Sequence, residues 1–506
     1  MSRKFIAERY LKDVVPFLPL DESWKTTIVT GLAVDSRKIQ KGNCFVAYPG
    51  HHSDGRDFLA AALRSGAESA LVEATGFNDS QNFAVPVVKV PDLKSRLGEI
   101  ASAFYGNPSS QLKLLAITGT NGKTSVSQLV AQALDYLGSA CGVIGTLGNG
   151  LVGELEPTSN TTPDIVECNR VLHEMLQRGA RCVTMETSSH GLVQGRVDGL
   201  SIFGALVTNI SRDHLDYHGT MEEYTRAKSL LVSHPGLEHL VLNLDDERVA
   251  AMSRDRQPQC ALWTFSLQNR DDATVTATKV HFDQDGISLQ VRYADQTATI
   301  QSSLIGEFNG ANLLAGLTLL MSTGIPLSQA AAAMSVAQPV AGRMQRVPSA
   351  AGQPMVVIDF AHTPDALEKV LLSLRRHVPG RIWCVCGCGG DRDAGKRPLM
   401  AEVVADLADE VVITADNPRS ESFGRIVAQM VKGVPEKVAF QVIEDRSAAV
   451  AHAISNAEAD DVVLIAGKGH ENYQEIRGVK HPYSDLSAAR EALLETPDND
   501  DARGED

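Results

Sequence analysis

Apolar positions along the chain fall into short dense runs separated by stretches with helical spacing. Between Leu112 and about Gln338 the runs are KLLAITG, ACGVIGT, RCVTMETS, GALVTNIS and EHLVLNL. Strand-like runs alternating with helical segments predict βαβ units and a mostly parallel sheet. A more alternating pair, ATVTATKVHF and GISLQVRY, flanks Asp283-Gln284-Asp285-Gly286 and reads as a hairpin. The same alternation returns after PVAGRMQRVPSAAGQP, with MVVIDFA, RIWCVCG, EVVITAD, VAFQVIE and DVVLIAG. Upstream, GLAVDSRKIQKGNCFVAYPG, DGRDFLAAALRSGAESALVE and VPVVKVPD read as strand, helix and strand of a small module. The stretch YGNPSSQLK, with Gly, Pro and Ser together, reads as a linker.

The predicted class is α/β in three domains. A small N-terminal α/β domain spans 1–110, a central P-loop-type domain with a mostly parallel sheet spans 111–340, and a Rossmann-like α/β domain spans 341–497. An acidic, frayed tail is expected over 498–506. A chain of 506 residues is too long for one hydrophobic core, which agrees with that division. A net charge of −15 with no visible basic face argues against nucleic-acid binding and leaves room for a local basic pocket. No signal peptide and no apolar run of about 18 residues is visible, so a cytoplasmic protein with no membrane partner is expected. The eight cysteines fit reduced, buried thiols. Cys384, Cys386 and Cys388 alternate in CVCGCGG. Their spacing is not C-x-x-C and no second pair lies nearby, so a buried strand end is expected rather than a metal site.

Open α/β sheets bind ligands at the carboxyl ends of their strands. The sharpest signal at such an end is LLAITGTNGKTSVSQLVAQAL, where a buried strand meets Gly119-Thr120-Asn121-Gly122-Lys123-Thr124 and then a helix. Glycines let backbone N–H groups close around phosphate, and the helix N-terminus favours the anion. Lys123 is suited to the β- and γ-phosphates and the Thr124 hydroxyl to Mg²⁺. Ile117 stands where the strict phosphate-loop pattern has its first glycine. Glu186 and His214 follow later strands, and Glu186 suits a Mg²⁺ ligand by position. Lys228, in EEYTRAKSLLV, reads by composition as a surface lysine.

The motifs GTNGKTS, ETSSHGLVQGR, NISRDHLDYHGT, YTRAKSLL, GEFNGANLLAG, DFAHTPDAL, GCGGDRDAGKRPLM, DNPRSES and GKGHE succeed one another over nearly the whole chain. In that order they resemble the Mur ligase family. The resemblance implies an ATP-dependent amide ligase of cytoplasmic peptidoglycan synthesis. Such an enzyme adds meso-diaminopimelate to the γ-carboxylate of D-glutamate on a UDP-linked muramoyl dipeptide, by way of an acyl phosphate. It also implies that Lys228 is carbamylated and serves a second Mg²⁺ near His214, while Thr124 and Glu186 serve the first. Lys123, Lys228, Glu186 and His214 would be catalytic. ATP would meet Gly119 to Ser125, Asn309 and Asn312, with Arg343 and His362 supplied by the third domain. The UDP-substrate would meet Val34, Ser36, His51, His52, Ser53, Asn160, Thr161, Thr162, Ser188, Gln194 and Arg196. A monomer acting on small molecules alone is implied.

Diaminopimelate differs from lysine by a carboxylate beside its distal amine. Arginine pairs bidentately with carboxylate, and Pro418 restricts the backbone ahead of Arg419. By the resemblance, Asp416, Asn417, Pro418 and Arg419 mark a diaminopimelate pocket completed by Arg392, Gly467 and Glu471. Glu471 would take the distal ammonium. The alternatives are a lysine-adding or folylpolyglutamate synthetase-like relative, which would share GTNGKT, and a nucleotide-binding switch without ligase chemistry. The patches DNPR, DSR and GHHSDGR favour the UDP-sugar and diaminopimelate reading.

Overall fold

The computed structural model describes residues 7–50, 53–78, 83–158 and 160–495. His51, His52 and the predicted tail at 498–506 lie outside them. The chain divides into two compact units, Met1–Phe265 with Ala315–Pro326, and Ser266–Leu314 with Leu327–Asp506.

In the first unit the buried strand Lys113–Thr118 lies between parallel neighbours Cys182–Glu186 and Gly204–Val207. Cys141–Gly145 continues the sheet on one side, and His239–Asn243 and Ala261–Ser266 on the other, all parallel. Gly148–Leu151 and Glu154–Glu156 add an antiparallel edge. Strand order therefore reverses around Lys113–Thr118, which opens a crevice at its carboxyl end. Ala261–Ser266 escapes the sequence pattern because its first two residues are exposed, leaving only a short apolar run.

A second parallel sheet, Gly31–Ala33, Asn43–Ala47, Ser69–Glu73 and Val87–Val90, forms the N-terminal module. One face carries its own cluster of Phe45, Ala47, Leu59, Ala62, Ala70 and Val72, whereas the other face is not an independent core. Leu97, Ile100 and Phe104 of helix Leu93–Phe104 join Val171, Leu172 and Met175 of helix Ile165–Gln177 in one continuous cluster. Gly98 sits where that first helix meets the central backbone. A Cβ there would lie 2.1 Å from the carbonyl oxygen of Asp198.

The second unit holds the predicted hairpin, Val275–Asp283 paired with Gly286–Tyr293, extended by Gln296–Ser302. Its main sheet runs Gln345–Val347, Met355–Asp359, Val462–Ala466, Ile382–Cys386, Glu410–Ile413, Gln441–Val442, parallel except for the first strand. Apolar clusters cover both faces, as the near-continuous apolar strands require. Only two residues of VAFQVIE form a strand. Gln441 and Val442 are an exposed edge, so burial does not drive the run to pair further. Cys384, Cys386 and Cys388 are buried in one cluster, with the Cys388 thiol 3.6 Å from the sulfur of Met400. The hairpin Tyr473–Ile476 with Val479–Pro482 also had no sequence signal. No helix among the described residues is long and apolar enough to cross a membrane.

Candidate active site

The loop after Lys113–Thr118 is shaped by two glycines in left-handed backbone, Gly119 at φ +146° and Gly122 at φ +86°. A Cβ on Gly119 would lie 1.9 Å from the Thr208 hydroxyl. The loop is tied to the next strand's end. Asn121 N–H donates to Asn209 Oδ1 at 3.0 Å, Thr208 Oγ1 donates to the Asn121 carbonyl at 2.6 Å, and Thr120 N–H donates to the Asn209 carbonyl at 2.8 Å. Helix Lys123–Tyr136 starts without a side-chain cap, so its first N–H groups point into the loop. Lys123 Nζ folds over the loop, donating to the carbonyls of Gly119 and Thr120 at 2.8 and 2.9 Å. Thr124 and Ser125 are buried in the first turn.

Glu186 ends strand Cys182–Glu186 and is 1% exposed. It accepts from the Thr124 hydroxyl at 2.8 Å, and from the N–H and hydroxyl of Thr146 at 2.8 and 3.1 Å. Burial pushes its carboxyl pKa up, opposed by these bonds and by Lys123. A hydroxyl beside a carboxylate held only by neutral donors is the oxygen set a hard divalent cation takes.

Lys228 lies in helix Met221–Val232, 1% exposed rather than on the surface. Its Nζ donates to the Gly119 carbonyl at 2.8 Å and sits 4.6 Å from the Tyr224 ring centre. No carboxylate pairs with it among the described residues. Burial first, and Lys123 second, hold its pKa well below the lysine range against the opposing charge of Asp213, which favours the neutral amine. His214 adopts φ +51° ahead of the one-turn helix Leu215–His218 and approaches Asp213 at 3.3 Å. Its ring packs edge-on to His190 at 4.9 Å.

The neighbouring strand ends carry the expected acceptor-substrate residues. Thr162 Oγ1 donates to the Glu186 carbonyl at 2.9 Å and accepts from Ser188 N–H at 2.9 Å. Ser188 caps helix Ser189–Val193. Arg196 is held by neutral oxygens, Thr162 O at 2.5 Å and Gln194 Oε1 at 2.6 Å. The Thr161 hydroxyl lies 3.1 Å from that of Thr146. Asn160 is exposed on the same segment. In the N-terminal module Val34 and Ser36 are half-buried beside Asp35, which caps the turn Ser36–Lys38. Ser53 is exposed.

In the second unit Asn309 and Asn312 are buried in helix Glu307–Ser322. Asn309 donates back to Ile305 O at 2.7 Å and accepts from Asn312 at 2.9 Å, so it does not cap the helix. Arg343 stacks on Phe360 at 5.1 Å and leaves its buried Nε without a hydrogen-bond partner among the described residues. His362 Nδ1 lies 2.7 Å from the Phe360 carbonyl, and Lys396 donates to the His362 carbonyl at 2.8 Å.

Further loops at the same carboxyl edge of this sheet form a network. Arg419 has φ +53°, a conformation costly for a side chain, and backbone bonds hold it there. Its N–H donates to Glu475 O at 2.9 Å, and its carbonyl accepts from Arg477 N–H at 2.7 Å. Its Nη1 donates to Gly390 O at 2.7 Å, and Nε lies 3.4 Å from Glu475 Oε2. Asn417 accepts from Lys468 Nζ and Glu475 N–H at 3.0 and 2.9 Å and donates to Glu471 at 2.9 Å. Asp416 is buried beside Gly467, whose φ is +115°. Arg392 is exposed on the adjoining loop. A Cβ on Gly390 would lie 1.8 Å from the Pro418 carbonyl, so the two loops need a glycine to meet.

Three family matches span the chain: "Mur ligase family, catalytic domain" over 28–105, "Mur ligase middle domain" over 117–320, and "Mur ligase, glutamate ligase domain" over 342–469. The chain belongs to the Mur ligase family. Among its relatives, the UDP-N-acetylmuramoyl-L-alanyl-D-glutamate–2,6-diaminopimelate ligase of Pseudomonas aeruginosa is 47% identical, covering 92% of this chain and 95% of that one. The Coxiella burnetii protein of the same name is 45% identical, covering 92% and 96%. A solved ligase of that name superposes with TM-score 0.72 at 36% identity, covering 96% and 99%. Folylpolyglutamate synthase from Mycobacterium tuberculosis shares the fold, with TM-score 0.59 at 18% identity over 80% of this chain and 96% of that one.

Several residues of this Mur ligase site lacked a sequence signal. Gly145 and Thr146 follow a predicted strand, but nothing marks them as partners of Glu186. A Cβ on Gly145 would lie 2.2 Å from Glu186 Oε1. Lys468 stands within GKGHE, and only the fold shows it is fully buried against Asn417 and Glu471. Arg397 is 1% exposed and grips Glu421 and the Gly389 carbonyl, which sets the glycine loop facing Arg419.

Proposed function

We propose that this Mur ligase is a monomeric, ATP-dependent enzyme of cytoplasmic peptidoglycan synthesis. It joins meso-diaminopimelate to the D-glutamate γ-carboxylate of UDP-N-acetylmuramoyl-L-alanyl-D-glutamate. The observation that carries this reading is Arg419, a guanidinium fixed in a costly backbone conformation at a strand edge, where a fork for a second carboxylate is needed. The relatives that cover over nine-tenths of this chain are named for the same reaction.

The loop N–H groups and Lys123 bind the triphosphate of ATP. Thr124 and Glu186 suit one Mg²⁺, and His214 with a carbamate on Lys228 a second; bound Mg²⁺ would offset negative charge on the phosphates. Carbamylation of Lys228 is supported by its burial, which lowers its pKa and favours the neutral amine. Its lone pair adds to the carbon of CO₂ and a proton is lost, leaving an anionic carbamate. Asn160, Thr161, Thr162, Ser188, Gln194 and Arg196, with Val34, Ser36, His51, His52 and Ser53, bind the UDP-substrate. Asn309, Asn312, Arg343 and His362 serve the nucleotide. The γ-carboxylate oxygen attacks the γ-phosphorus and ADP leaves, giving an acyl phosphate. The diaminopimelate amine then attacks the acyl carbon, the C–N bond forms, and inorganic phosphate leaves. Arg392, Asp416, Asn417, Pro418, Arg419, Gly467 and Glu471 orient that amine by its remote end, which is how positioning lowers a bimolecular barrier.

The test is phosphate release with ATP, Mg²⁺ and the UDP-dipeptide, with diaminopimelate and lysine offered in parallel. Release should require both the dipeptide and diaminopimelate. Arg419→Ala should lower diaminopimelate use by at least about ten-fold, as for a lost charge pair in a binding site. Equal use of lysine, or an unaffected Arg419→Ala enzyme, would sink the assignment.

A further inference from the structure

Glu475 has been given no role in substrate recognition so far, yet the fold delivers its carboxylate to Arg419. Its N–H donates to Asn417 Oδ1 at 2.9 Å and its carbonyl accepts from Arg419 N–H at 2.9 Å. With both backbone groups fixed, Oε2 comes within 3.4 Å of Arg419 Nε. The two side chains keep 19% and 25% of their exposure, so neither is sealed from an incoming solute. Nη1 is committed to the Gly390 carbonyl, and Nη2 has no partner among the described residues.

We infer that Glu475 is a resident counterion of Arg419 that the distal carboxylate of the amino-acid substrate must displace, so that it sets affinity and selectivity for that substrate. The inference rests on the diaminopimelate reading of Arg419. A carboxylate docking on the guanidinium meets a second carboxylate of like charge already there. The anionic substrate therefore gains less than the Arg419 fork could give it. A substrate with no distal carboxylate leaves the Glu475–Arg419 pair intact. Glu475 thus lowers affinity for diaminopimelate and softens rejection of lysine. An alternative role, holding the distal ammonium common to both amino acids, predicts the opposite response.

The test is steady-state kinetics of E475Q, which keeps the size of the side chain and its backbone bonds. KM for diaminopimelate should fall about two- to five-fold, the range for a partly exposed ion pair. KM for lysine should not fall. The ratio of kcat/KM for diaminopimelate over lysine should therefore rise. A KM for diaminopimelate that is unchanged or higher overturns the inference, and so does an equal fall for both amino acids. Should E475Q lose its folded thermal transition, Glu475→Met repeats the measurement with a neutral side chain of similar length. Wild-type enzyme that ignores diaminopimelate would instead refute the reaction assignment, an outcome distinct from any E475Q result.

Discussion

Two buried lysines, one in each unit, show how the same side chain is put to different uses. Lys468 is fully buried and has Glu471 at 3.1 Å and Asn417 at 3.0 Å. Lys228 is 1% exposed and has one carbonyl, with Lys123 adding repulsion. The second unit buries two further cations, Arg397 on Glu421 and Arg446 on Asp485. There each buried charge has its acid, and the pairs lock loops and strand ends in register. In the first unit no carboxylate bonds to Lys228 among the described residues, and Asp213 offsets burial only in part, so its pKa is lowered, which favours the neutral amine. Paired cations lock the loops of the second unit, and the lysine that lacks such a bond among the described residues is the one for which chemistry is proposed.

Arg446 offers the largest effect by which to break the comparison. Its guanidinium meets both Asp485 oxygens, at 2.7 and 2.9 Å, and also the carbonyl of Ala466 at 2.9 Å. Arg446→Ala strands Asp485 in the core and should cost about 3–5 kcal/mol, the range for breaking a buried pair. Chemical denaturation would read this, and a loss under about 1 kcal/mol would mean the pair is not structural. Lys228→Met should do the reverse. It removes no acid's partner, so the fold should hold at neutral pH, while ligase turnover falls at least about a hundred-fold, the range for losing one preorganised electrostatic group. Added short carboxylates should restore part of the rate in Lys228→Ala. Full activity in Lys228→Met would make the missing acid incidental.

Which parts of this contrast were legible in the sequence follows from what each feature needs. The middle of Lys113–Thr118 and all of Val462–Ala466 are apolar because both faces are covered, so their runs stand out. The glycine loop at Gly119 is legible because close backbone approach excludes a side chain. Lys228 was opaque by composition. Its helix reads as amphipathic and exposed, and only packing of the Gly119 loop against that helix buries the amine. The hairpin Tyr473–Ile476 was opaque for a similar reason. Its residues are half-buried or exposed, and its register comes from bonds to Arg419 and Asn417. Lys468 and Glu475 derive their meaning from that docking, which local spacing does not encode.

The smallest effect is a pH dependence that belongs to the unpaired lysine alone. Folded Lys228 has a pKa well below the lysine range, whereas unfolded lysine titrates near about 10.4. Between those values the unfolded chain binds the extra proton, so stability rises with pH through the window and levels off above it. In buffer free of CO₂, wild type should therefore be less stable than Lys228→Met near pH 7, and the gap should close as pH approaches about 10. Bicarbonate should flatten the slope, because a carbamate carries no ammonium to titrate there. Denaturation midpoints of the two proteins across that range provide the measurement. Parallel curves for the two proteins with and without bicarbonate would mean that the Lys228 charge is compensated in the fold, and would erase the contrast with Lys468.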